Sequence, residues 1–232
     1  MKHLGYYVAG WDGPDEWELT GTSLLHNTPG RMLSVSGDRR HPGRAAVFAA
    51  FASPPLAYDR HDPSATRAIL RDRFAGMGWL APRLLNELDR AGGDFWFGQI
   101  CRVDNPAWSR GRVALVGDAA CGATIGGQGT GTALVAAYVL AGELAAAFGD
   151  HRAAFTAYEK RIGRFARGTQ KGGDTTGRFL APRTARGIRL RNYLNNRKWF
   201  LDLTFKIAAD RSTGLTLPEY RPLAPGSAPT PS

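Results

Sequence analysis

Gly111-Arg112-Val113-Ala114-Leu115-Val116-Gly117-Asp118-Ala119-Ala120, followed by Gly126-Gly127-Gln128-Gly129-Thr130-Gly131, sets the architecture of this chain. The run 112–116 is short and continuously apolar, as expected of a strand covered on both faces. A glycine-rich loop follows, and then an apolar stretch that predicts a long helix over Gly129–Phe148, with Gly149 as its stop. That helix has almost no polar face, which predicts burial. A strand, an acid at its C-terminal end, a glycine loop and a helix start form an edge at which open α/β sheets bind ligands. Asp118 can accept hydrogen bonds from ribose or ribityl hydroxyls. The glycines let backbone N–H groups approach a ligand, because no Cβ intervenes. The helix start offers unpaired donors and a partial positive charge, suited to a phosphate or to a flavin ring that becomes anionic on reduction. No Gly-Lys-Ser/Thr closes a Walker A loop, the glycine spacing is not GxGxxG, and there is no GxSxG elbow.

Working outward, the N-terminal half alternates short apolar runs with turn signals. Strands are predicted near Gly5–Ala9, Leu24–Asn27, Arg31–Ser36, Ala45–Phe51 and Phe95–Val103. Asp62 before Pro63 is an N-cap followed by proline at the first helical position, opening a helix over Ser64–Phe74 with Ile69, Leu70 and Phe74 inward. A second helix after Ala81 places Leu84, Leu85, Leu88 and Ala91 on one face and stops at Gly92-Gly93. Beyond Gly149, helices are expected around Arg152–Gln170 and Ala185–Ala209, then a frayed Pro-, Gly- and Ser-rich tail from Pro218.

The chain has 232 residues and a net charge of +10. Residues 151–211 hold 15 Lys/Arg against 4 Asp/Glu, while the remainder holds 15 against 16. With no finger, RRM or zipper pattern, this basic block is taken as a solvated face or one turned to an anionic cofactor rather than to nucleic acid. Cys101 and Cys121 lack CxxC spacing and a nearby His, so no metal site is expected. There is no signal pattern, and the longest low-charge run, Ala133–Phe148, is short for a membrane span and contains Gly142 and Glu143. The expectation is a soluble cytoplasmic protein without a membrane partner.

The 111–120 run, Gly127-Gln128-Gly129-Thr130 and the helix through Ala133-Leu134-Val135 and Ala137–Leu144 resemble the GD motif and following helix of class A FAD-dependent monooxygenases of the p-hydroxybenzoate hydroxylase-like fold. The similarity points to the branch that includes tetracycline-modifying and polyketide-tailoring enzymes. It continues through Ser53-Pro54-Pro55-Leu56, Arg73–Trp79 and Pro106–Val113, and downstream over Phe155–Gln170 and Leu180–Thr184. The resemblance implies a mixed α+β and α/β fold: the back half of a substrate-domain β-sheet with helices, the C-terminal part of an FAD-binding domain, and C-terminal helices. The corresponding boundaries are 1–108 for a partial substrate-binding domain, 109–150 for the GD segment, 151–217 for the C-terminal helices and 218–232 for the tail.

The resemblance further implies FAD as cofactor, with Gly117 and Asp118 at the ribityl chain and Gly127, Gln128, Gly129 and Thr130 at the pyrimidine side of the flavin ring. NAD(P)H would reduce the flavin, O₂ would add to it, and the hydroperoxide would hydroxylate an aromatic or polyketide-like small molecule. Phe48, Phe95 and Phe97 are candidates for an aromatic substrate pocket, though for any one of them a place in the core is the commoner role. No side chain stands out as a general acid or base. Two departures from the family pattern are visible. The GxGxxG unit and the Asp-Gly motif have no counterpart here, which suggests a truncated or split protein needing an N-terminal FAD-binding segment. Where many relatives carry a proline before the GQG segment, this chain has Thr124, which frees φ and adds an N–H. The competing expectation is an inactive remnant or interaction module without stable FAD binding.

Overall fold

A computed structural model describes residues 1–19, 21–90, 95–123, 129–213 and 216–220. In chain order the elements are β1 (Lys2–Pro14), β2 (Ser23–Thr28), β3 (Arg31–Gly37), β4 (Arg44–Ala52), α1 (Pro63–Phe74), α2 (Ala81–Glu87), β5 (Trp96–Arg102), β6 (Ser109–Arg110), β7 (Val113–Ala114), α3 (Asp118–Cys121), α4 (Gly129–Ala146), α5 (His151–Leu180), α6 (Ala185–Asn195) and α7 (Lys198–Thr213). They divide into two compact units. One comprises residues 3–100 and 176–197, the other residues 1–2, 101–175 and 198–232.

The first unit is built on a five-stranded sheet of order β2-β3-β4-β1-β5. The antiparallel register pairs Tyr7 with Phe51, Ala9 with Ala49 and Trp11 with Val47. Alternation along the strands sends these residues to one face. There they bury against Leu70 and Phe74 of α1, Leu84 of α2 and Leu88 just beyond it. Each large side chain enclosed this way contributes about 1.5–3 kcal/mol. The Trp11 indole N–H donates to the Leu84 carbonyl at 3.1 Å, so its polar edge is satisfied inside the core. At the start of α1, Asp62 accepts from the Ser64 N–H at 2.8 Å and Pro63 begins the helix, as the sequence predicts.

The opposite face carries Tyr6, Val8 and Gly10. Tyr6 packs against Gly177 of α5, where any Cβ would collide with its ring. Arg183 lies 5.3 Å over the same ring. Arg191 of α6 donates to the Phe179 and Leu180 carbonyls and to Asn27 Oδ1, while Asn27 donates to Leu180. One buried-edge cation thus ties the end of α5 to β2 and α6.

The second unit packs Trp108, Ala120, Cys121, Ala136, Val139, Tyr158, Ile162 and Ala166 into its core. Glu159 of α5 accepts from the Trp108 N–H and the Ser109 hydroxyl, and the Tyr158 hydroxyl donates to the Leu115 carbonyl at 3.0 Å. Gln170 donates to the Val103 carbonyl. These bonds hold the 103–116 segment on α5.

Three expectations are corrected. The run 112–116 is not a strand covered on both faces. Only Val113–Ala114 is strand, paired with β6, and Val113 is 65% exposed. Among the described residues no other strand runs beside it, so nothing covers its second side. For the same reason α4 is not buried all round: Leu134 is 68% and Tyr138 45% exposed. By length and composition alone, the 18-residue α4 is sufficient to cross a membrane, against the expectation that the apolar run is short for a span. Finally, α5 runs on to Leu180 rather than ending at Gln170, and the next helical stretch breaks at Asn196–Arg197 into α6 and α7. No proline interrupts α5 before Pro182, and its interior glycines, at a cost of about 1 kcal/mol each, are tolerated where one of them seats Tyr6.

Candidate functional site

The edge predicted from the sequence forms where α3 meets α4. Gly117 precedes α3 with φ 64° and ψ −137°, a conformation open to glycine and strained for other residues. It is buried, and a Cβ there would stand 3.1 Å from the Ala133 Cβ of α4. The Gly117 carbonyl accepts from the Ala120 and Cys121 N–H groups, which closes the turn and projects the next side chain outward. That side chain is Asp118. It is exposed, and among the described residues no hydrogen bond occupies its carboxylate. A Cβ built on Gly129 would lie 3.7 Å from Asp118 Oδ1, so the acid sits beside the bare first residue of α4.

Gly129, Thr130 and Gly131 are all exposed at this helix start. The first four N–H groups of an α-helix have no intrahelical partner, and its N-terminal end carries about half a positive charge. Thr132, in the same turn, was not singled out by sequence. It is buried, and among the described residues its hydroxyl has no hydrogen-bond partner. A buried hydroxyl left unpaired costs about 1–3 kcal/mol. Gly127 and Gln128, and with them Thr124, lie outside the described residues. Beneath the edge, burial and the neighbouring Asp118 charge both push the Cys121 thiol up, keeping it protonated at neutral pH.

The three phenylalanines do not share a pocket. Phe97 stacks on Tyr7 at 5.5 Å and meets Tyr58 edge-on at 5.3 Å, inside the helix-facing core. Phe95 packs against that same core, under the guanidinium of Arg67. Phe48 is on the other face of the sheet, 6.0 Å from Trp96. Period-2 alternation separates Phe95 and Phe97 from Trp96 between them, and the expected common aromatic pocket is therefore corrected. Trp96, 48% exposed, lies directly over Gly10, where a Cβ could not fit. The same alternation rule could have found Trp96 and Phe48 as the pair. A separate cavity of about 160 Å³, lined by Trp17, Val35, Val47, Arg83 and Leu84 among others, includes none of the candidate residues.

An acid able to hold sugar hydroxyls and a bare helix start fit the flavin and ribityl parts of FAD. The flavin-dependent monooxygenase of Legionella longbeachae serogroup 1 (strain NSW150) is 35% identical over 174 residues, covering 75% of this chain and 44% of that protein. The tetracycline destructase Tet(55) superposes with a TM-score of 0.79 at 31% identity, over 94% of this chain and 56% of its own. This chain matches part of the flavin-dependent monooxygenases and part of the class A fold. The same fold recurs in Klebsiella pneumoniae HpxO, solved with FAD and uric acid, at a TM-score of 0.62 and 21% identity. No protein-family model matches the chain. The chain spans about half the length of the relatives it matches, so it represents part of the class A fold.

Proposed function

We propose that this chain supplies the flavin-facing part of an FAD-dependent monooxygenase. The observation that carries the proposal is the exposed Asp118 carboxylate beside Gly129 at the start of α4. Asp118 would hold the ribityl hydroxyls. The first-turn N–H groups of α4, from Gly129 and Thr130 onward, would face the flavin ring. Gly117 fixes the angle at which Asp118 leaves the turn. When bound, FAD supplies the redox chemistry, passing electrons from NAD(P)H to O₂ for hydroxylation of an aromatic or polyketide-like small molecule. For the substrate, the paired rings of Phe48 and Trp96 offer an exposed aromatic platform on the sheet. The expected setting is the cytoplasm, with neither nucleic acid nor membrane as partner.

A second reading has an observation of its own. Val113 and Leu134 are exposed, and the chain spans 44% of its Legionella relative, which suits an inactive remnant or interaction module. Visible absorbance of the purified chain, with and without added FAD, separates the two. The proposal predicts protein-bound flavin absorbance in the visible range and flavin-dependent NAD(P)H oxidation. A colourless protein that leaves NAD(P)H untouched supports the remnant.

A further inference from the structure

We infer that the outward face of α6 is a docking surface for an acidic segment of a second protein, one that sets carboxylates beside an apolar side chain. Residues 176–197 carry six arginines and no Asp or Glu. Two of the six are turned to the protein itself: Arg183 lies over the Tyr6 ring, and Arg191 donates to the Phe179 and Leu180 carbonyls and to Asn27. Three others, Arg186, Arg189 and Arg197, are exposed. Beside them, Leu190 is 60% and Tyr193 58% exposed. At 3.6 residues per turn, Arg186, Arg189, Leu190 and Tyr193 fall within about 100° of the helix circumference. Arg197 follows one turn beyond Tyr193, its N–H bonded to the Leu194 carbonyl. Ile188 and Leu194 are half-buried with Arg191 on the side that meets β2.

Fold stability does not account for this face. Arg186 stands in the first turn of α6, where the helix macrodipole disfavours a cation, and no acid shares that turn. Among the described residues neither Arg186 nor Arg189 has a hydrogen bond or an ion pair. A merely solvated helix face mixes both signs of charge and keeps large apolar side chains inward. This face has one sign only, with Leu190 and Tyr193 among the cations. Arginine and tyrosine are the residue types enriched at protein interfaces, and a guanidinium fork grips a carboxylate with two parallel bonds. The Arg197 guanidinium lies 4.6 Å over the Tyr193 ring and donates to its hydroxyl at 3.0 Å. That stack pre-positions the cation and takes up one ring face on which a nucleobase would stack. Helix binding at a bilayer scales with buried apolar area, and this face offers two large apolar side chains for it. Charge complementarity therefore selects a carboxylate-rich protein segment, with Leu190 as the apolar contact.

The test uses the full chain and a fluorescein-labelled amphipathic peptide whose glutamates form one stripe interrupted by a leucine. Fluorescence anisotropy is read at about 0.15 M salt, where diffuse attraction between distant charges is screened. Binding is expected, weakened by about tenfold or more in Arg186→Glu with Arg189→Glu and by about fivefold in Leu190→Ser. Arg39→Glu with Arg40→Glu makes the same change of net charge on another exposed stretch and leaves the affinity within about twofold. Moving the peptide's leucine to its opposite side lowers the affinity as Leu190→Ser does. All variants should melt with the parent, because every substituted side chain is exposed. If the double reversal fails to fold, Arg186→Gln with Arg189→Gln carries the test. A peptide that does not bind overturns the proposal. So does equal weakening by the Arg39 and Arg40 pair, or indifference to Leu190→Ser. Tighter binding of oligouridine, or of phosphatidylserine-containing vesicles, through the same arginines overturns it in favour of a nucleic acid or a membrane.

Discussion

Asp118 and Gly129 are eleven positions apart in sequence, yet a Cβ on Gly129 would stand only 3.7 Å from Asp118 Oδ1. The turn at Gly117 starts α3, and the approach of Asp118 to Gly129 sets the starts of α3 and α4 side by side.

Replacement Asp118→Ala removes an exposed carboxylate with no described partner, so the fold is untouched and the ligand loses its acceptor. Charged hydrogen bonds contribute about 1.5–3 kcal/mol, so FAD affinity is expected to fall by about 10- to 100-fold. Flavin fluorescence titration reads the affinity, and thermal melting should show no shift. An unchanged affinity would remove Asp118 from the site.

Gly117→Ala acts on the fold. Its φ of 64° with ψ of −137° is a strained conformation for alanine, and the new Cβ would press on Ala133 at 3.1 Å. A cost of about 1–3 kcal/mol is expected, visible as a lowered melting temperature before any ligand is added. A variant as stable as the parent would show that the turn relaxes freely.

Tyr158 gives a pH signature. Burial, then the neighbouring Cys121 and Glu159, push its phenol up from 10 to about 12. The unfolded chain thus loses this proton first. The associated stability is fully present below pH 10 and is lost as pH rises toward 12. Melting temperature measured across this range should fall, and Tyr158→Phe should flatten the decline while removing the bond to Leu115. An identical alkaline slope in both proteins would contradict this assignment.

Asp62 gives the opposite sign. Hydrogen bonds from the Ser64 hydroxyl and from the Ser64 and Ala65 backbone hold its carboxyl below the ordinary aspartate range. The cap therefore stabilises α1 above the unfolded aspartate value and stops doing so as pH falls through the lowered one. Asp62→Ala should melt earlier than the parent at pH ~7, and the gap should close toward pH ~3, around and below the usual aspartate value. A gap independent of pH would mean the cap acts through shape alone.

The sheet and α1 were legible because their signals are local: alternating apolar residues bounded by Pro29-Gly30 and His41-Pro42-Gly43, and the Asp62-Pro63 start. The turn at Gly117 and the approach of Asp118 to Gly129 have their sequence signal in the glycine run itself, and their role toward a cofactor is the proposal made above. What failed depended on neighbours. Continuous apolarity in 112–116 and in α4 signals that something must cover them, but not that the cover lies within this chain, and Val113 and Leu134 are bare. Phe48, Phe95 and Phe97 looked alike in composition, and only strand parity separates them. Thr132 carries no signal in the sequence, because only its burial and its lack of a partner among the described residues distinguish it from any helical threonine. Within the basic block, the exposed Arg161 pairs with Glu143 and Arg191 caps the end of α5.

The most direct measurement of the central claim is hydrogen–deuterium exchange of the full chain with and without saturating FAD. The account predicts slowed exchange across α3 and the first turns of α4, from Gly117 to about Leu134, and loss of that protection in Asp118→Ala. FAD that leaves this segment unprotected, or protects another region in its place, would contradict it.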